Sequence, residues 1–142
     1  MFDKKITFTV YGEAVSRKSK LAVNKYSNKP YIYTSESTRQ WEDSVAGQCL
    51  KHRPEQLMKG AVKLNAKFYR NIPKSMSKKD RELVLQEKKR PTTKPDTDNL
   101  LKSLADVMRG IFYIDDAQLV ETFISKHYSD TPRVEVELYF DE

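Results

Sequence analysis

Ile6, Phe8 and Val10 alternate with Thr7, Thr9 and Tyr11, the period of a strand with one face inward, and Gly12 closes it. A polar, basic stretch from Ser16 to Pro30 follows, with Tyr31-Ile32-Tyr33 as a short strand at its end. Ser35 or Ser37 then opens a helix carrying Glu36 and Glu42 in its early turns. Its apolar stripe is Trp41, Val45, Ala46 and Cys49, and Pro54 stops it. Ala61, Val62, Leu64, Ala66 and Phe68 predict a second long strand, ending at Tyr69-Arg70-Asn71. A short charged helix is expected from Ser77 to Lys88.

Pro95 biases Lys94 toward extended backbone, so the next helix begins after it. Leu100, Leu101, Leu104, Val107 and Met108 recur at helical spacing there. Two strands finish the chain. Leu119, Glu121, Phe123, Ser125 and His127 alternate with Val120, Thr122, Ile124 and Lys126, and Val134, Val136 and Leu138 alternate with Glu135, Glu137 and Tyr139. The turn residues Ser129-Asp130-Thr131-Pro132 between them predict an antiparallel hairpin. This order predicts one α+β domain over residues 1–142: a mostly antiparallel sheet with helices packed on one face.

The 142 residues suffice for one core. A single cysteine and two histidines exclude an intramolecular disulfide and a cysteine- or histidine-rich metal site. Cys49 falls in an apolar stripe, which argues against a Cys49–His52 nucleophilic dyad, and Trp41 reads as a core anchor rather than a base-stacking residue. No secretory h-region and no membrane-length apolar run occur, so a cytoplasmic protein is expected. The formal charge of +6 favours a polyanionic partner.

The acids sharpen that picture. Asp98, Lys102 and Asp106 fall at i, i+4 and i+8 on one ridge of the motif helix, away from its apolar stripe. Asp96 lies just ahead of the helix, and Asp115-Asp116 follow after Gly110. Taken singly, these residues have plain roles: helix caps, an ordinary ion pair, a turn. Taken together, converging carboxylates repel unless a hard cation joins them, and oxygen-only ligands suit magnesium or manganese. A divalent-metal site acting on phosphates is one reading; a basic nucleic-acid-binding protein with structural acids is the other. The basic run Lys88-Lys89-Arg90 through Lys94, and Arg17, Lys18 and Lys20, could serve as solvated linker and loop or hold a phosphate backbone.

Lys94-Pro95-Asp96-Thr97-Asp98-Asn99-Leu100-Leu101-Lys102, with Asp106 and then Asp115-Asp116-Ala117-Gln118, resembles the signature of the RusA family of Holliday-junction resolvases. The resemblance implies a homodimeric endodeoxyribonuclease that needs Mg2+, or Mn2+ in its place, and no organic cofactor. It implies binding of four-way DNA junctions and symmetric nicking of two opposed strands; a nuclease selective for flaps or forks is the alternative. By the same resemblance Asp96, Asp98 and Asp116 are the essential carboxylates and Lys102 the catalytic-site lysine, with Asp115 and Asp106 at further acidic positions of the motif. The N-terminal basic segment lacks the prolines of the family's P-x-x-K/R pattern.

Overall fold

The computed structural model describes residues 2–15 and 19–142, without the side chains of residues 19, 20 and 32–34. Strand β1 (Lys4–Tyr11) begins the chain, and β2 (Ser19–Val23) and β3 (Pro30–Thr34) form a separate two-stranded hairpin. Helix α1 (Glu36–Cys49), strand β4 (Val62–Asn71), helix α2 (Lys78–Leu85) and helix α3 (Thr97–Met108) follow. Strands β5 (Leu119–Ser129) and β6 (Arg133–Phe140) close the chain. No helix among the described residues is long and apolar enough to cross a membrane.

The main sheet runs β1-β6-β4-β5. β6 pairs antiparallel with β1 and β4, while β4 and β5 are parallel. The sheet is therefore mixed, and the expected β5–β6 hairpin does not form, because β4 lies between those strands. Ser129 sits opposite Asn71 and Arg133 opposite Tyr69, so the turn residues carry the chain over the end of β4. Two strand spacings are about 9.6 Å, and the four residue steps from Ser129 to Arg133 can span about 13–14 Å.

The strand pattern places Val62, Leu64, Ala66 and Phe68 of β4, Val134, Val136 and Leu138 of β6, and Phe8 and Val10 of β1 in one core. Against it pack Trp41, Val45 and Cys49 of α1 and Leu100, Leu104 and Met108 of α3. Each fully buried side chain of this size contributes roughly 1.5–3 kcal/mol. The helices on one face are thus α1 and α3. α2 stands apart from this cluster. Glu87, just past its end, bonds His127 on the opposite sheet face at 3.1 Å, where His127 also stacks on Tyr69. Trp41 is a core residue, as its place in the apolar stripe implies. Cys49 is buried as well, and His52 stacks on Phe8 instead of activating it.

Candidate active site

The acidic motif sits at both ends of one reversal. α3 ends at Met108 with Arg109 as its C-cap, and Gly110 takes φ +84°, a left-handed conformation that favours glycine. The chain then folds back so that Phe112 and Tyr113 are fully buried, with the Tyr113 hydroxyl donating to the Ala105 carbonyl at 2.7 Å. Burial pushes the Tyr113 phenol well above its usual range, so it stays a neutral donor. This plug returns Asp115 and Asp116 alongside α3.

Asp96 occupies the N-cap position of α3, with extended backbone at φ −72° and ψ 159°, yet its side chain caps no helix amide. Its carboxylate instead accepts from Lys94 Nζ at 2.9 Å. The Lys94 ammonium is held above its usual pKa by that bond and, more weakly, by the charge of Asp98. Asp98 is exposed in the first turn. One turn on, about 5–6 Å between Cβ atoms, Lys102 Nζ lies 3.0 Å from Asp106 and 3.5 Å from Asp116. The hydrogen bond to Asp106, then the nearby charges of Asp106 and Asp116, raise the Lys102 pKa. Asp106 and Asp116 therefore share one lysine, although 10 residues separate them in sequence.

Asp115 and Asp116 part company. Asp115 Oδ1 accepts from the Ala117 amide at 2.9 Å and, with Gln118, closes a capping box on the 3₁₀ turn Asp116–Gln118. Asp116 points to Lys102. Gln118 accepts from the amides of Ile114 and Asp115, both at 2.9 Å, and donates to the carbonyls of Met58 at 2.8 Å and Gly60 at 2.9 Å. On the other side of the site, Lys126 donates to the carbonyls of Thr93 at 2.7 Å and Pro95 at 3.0 Å, tying the segment before Asp96 to β5.

Sequence reasoning assigned no role to Gln118 or Lys126. The signal for Lys126 was a charged residue at an inward register position, two places after Ile124 and opposite Phe68. The signal for Gln118 was an amide two residues beyond the acidic pair.

The donors are all carboxylate oxygens, a set that fits a hard divalent cation. Among the described residues no three such groups converge on one point. Asp96 is turned to Lys94 and Asp116 to Lys102, through ion pairs at exposed, water-screened lysines that a divalent cation can displace by side-chain rotation.

The basic residues named from sequence are dispersed. Lys88 is exposed, Lys89 lies 3.8 Å from Asp80, Arg90 lies 3.7 Å from Glu87, and Lys94 serves Asp96. Arg17, Lys18 and the Lys20 side chain lie outside the described residues. The β2–β3 hairpin exposes Leu21, Val23, Tyr26 and Tyr31 with Lys25 and Lys29. Asn24 shapes its turn by accepting from the amides of Tyr26 and Ser27.

Residues 13–139, which hold every element of this site, match the endodeoxyribonuclease RusA family. The chain belongs to that family. The family is one of Holliday-junction-resolving endonucleases, and membership makes the chain an endodeoxyribonuclease. It is 28% identical over 120 residues to the crossover junction endodeoxyribonuclease rusA of Lactococcus phage r1t, covering 82% of each chain. It is also 39% identical over 133 residues to the uncharacterized protein YqaN of Bacillus subtilis (strain 168), covering 92% of this chain and 93% of that one.

Proposed function

We propose that this RusA-family chain resolves four-way DNA junctions as a homodimer, by paired symmetric nicks that depend on Mg2+ or Mn2+. The observation that carries the reading is the meeting of Asp116 with the Asp98–Lys102–Asp106 ridge of α3. Carboxylates from two separate segments, Asp106 of α3 and Asp116 of the acidic turn, meet at Lys102.

Asp96, Asp98 and Asp116 would hold the cation. A cation bound there supplies an activated water and charge neutralisation at the phosphate. Were the Asp116 carboxylate to turn to that cation, Lys102 would keep Asp106 alone as its partner. Its ammonium then donates to the phosphate oxygen on which negative charge develops. Lys94 lies beside the same carboxylates and holds the adjoining backbone. Lys88, Lys89 and Arg90, with Arg17, Lys18 and Lys20, hold flanking phosphates, contacts that are sequence-independent and salt-sensitive. Two such sites related by a twofold axis match the near-twofold symmetry of a four-way junction.

The test is a panel of labelled four-way junction, flap, fork and linear duplex incubated with purified protein and Mg2+ or Mn2+, beside sedimentation of the free protein. Junction cutting at paired positions by a dimer is expected. Asp96→Asn should abolish cutting while junction binding survives or tightens, because a negative charge beside phosphate is removed. Equal cutting of linear duplex, or none of any substrate with either metal, would overturn the reading.

A further inference from the structure

We propose that Gln118 is the positioning residue that sets where the Asp116 carboxylate stands, an inference that rests on the nuclease reading above. A glutamine amide has two acceptor lone pairs and two N–H donors. Gln118 spends all four. Its oxygen takes the amides of Ile114 and Asp115, and its nitrogen gives to the carbonyls of Met58 and Gly60. All four partners are backbone groups, so what the side chain fixes is the path of the chain.

Two segments are joined in this way. One is the acidic turn. The other is the loop that leads into β4, one of the two internal strands of the sheet. The Met58 amide adds a bond to the Phe112 carbonyl at 2.8 Å, in register with Gln118's pair. The acidic turn is thereby indexed to the centre of the sheet, while α3, with Asp98 and Lys102, is indexed to the same sheet through Leu100, Leu104 and Met108.

The Asp116 carboxylate needs this help. Its one hydrogen-bonding partner among the described residues is Lys102, at 3.5 Å, and that lysine is itself mostly exposed. With so little holding the side chain, the position of its backbone decides whether it reaches Lys102 on α3. Asp115, whose own amide is among the four bonds, is the residue directly before it. Gln118 touches neither substrate nor cation, and acts through Asp116.

Three measurements on the full chain test the assignment. In the wild type, the amides of Ile114 and Asp115 should exchange slowly with solvent although both residues are exposed. In Gln118→Leu they should exchange fast. Mn2+ titrated into the DNA-free protein should bind about 10–100-fold more weakly to Gln118→Leu, the range of outer-sphere losses. The cleavage rate at saturating junction should fall by a like factor, with junction affinity within about twofold, since no phosphate contact is lost.

Gln118→Glu separates the two halves of the staple. It keeps the acceptor and loses both donors, so the Ile114 and Asp115 amides stay protected while Mn2+ affinity falls. A folded Gln118→Leu with wild-type Mn2+ affinity and rate would overturn the proposal. So would rapid exchange of the two amides in the wild type, which decides the matter even where the leucine variant fails to fold. A wild type that binds no Mn2+ and cuts nothing sinks the nuclease reading instead; the amide exchange then still shows whether Gln118 holds the turn.

Discussion

Asp115 and Asp116 are adjacent and chemically identical, yet one carboxylate closes a turn and the other reaches α3. Sequence placed both among the candidate metal ligands, since period and spacing cannot say which of two neighbours points inward. Their variants should separate. Asparagine caps about as well as aspartate, whereas alanine costs about 1 kcal/mol at such a position. Asp115→Asn should therefore keep stability and cleavage, and Asp115→Ala should lose about 1 kcal/mol in denaturant unfolding. Asp116→Asn should fold as the wild type and lose cleavage by more than about 100-fold, beyond the outer-sphere range. Cys49 offers a second residue-scale prediction. Burial pushes its thiol up from 9.0 to about 12. The native thiol is thus protonated and should resist a thiol reagent at pH 8 until the chain unfolds. The linkage follows the same sign: a raised folded pKa means stability is whole below pH 9, where the unfolded thiol is still protonated, and is lost as pH climbs toward 12. Unfolding free energy measured across that range checks it.

At the scale of elements, the reversal after α3 does what no single acid could. Gly110 turns the chain, Phe112 and Tyr113 anchor it, and Asp116 lands beside Lys102. A Cβ built on Gly110 meets nothing within 4 Å, so the penalty of Gly110→Ala is purely conformational. It should be about 1–2 kcal/mol, read from thermal or denaturant unfolding, with a fall in cleavage as the acidic turn shifts. The β2–β3 hairpin is the element whose purpose packing does not explain, since its described large apolar side chains, Leu21, Val23, Tyr26 and Tyr31, are exposed and none joins the core. Lys25→Glu with Lys29→Glu should weaken junction binding, and each lysine that meets a phosphate should remove about one unit from the salt slope. The cleavage rate at saturating DNA should be unchanged. Affinity measured across a salt series decides this. The helices and their starts were legible beforehand. Ser35 and Ser77 cap α1 and α2 through their side chains, accepting from the Thr38 and Asp80 amides, because capping is local chemistry.

At the scale of the whole molecule, β6 holds the fold together. It lies between β1, from the start of the chain, and β4, and Leu138 faces both Ile6 and Leu64 with no exposure. Leu138→Ala should cost about 2–5 kcal/mol. The loss should show as one cooperative shift by both fluorescence and circular dichroism, as expected of a single domain of this size. The sheet order is where sequence reasoning failed. A short turn between two alternating strands suits a hairpin, and nothing local reveals that a third strand is inserted. Pairing partners are chosen by burial summed over the sheet, and β4, inward-facing side chains buried along its length, gains most from a neighbour on each side.

The chain by itself determined its three helices, the four strands of the main sheet, the starts of α1 and α2 and the inward faces. Each of these is set by interactions within a few residues, or by a period that survives in one dimension. Tertiary structure alone decided that β4 separates β5 from β6 and that Asp116 rather than Asp115 meets α3. It alone gave Gln118 and Lys126 their work. Those outcomes depend on which distant backbone groups come within about 3 Å of one another, and no local pattern encodes that distance.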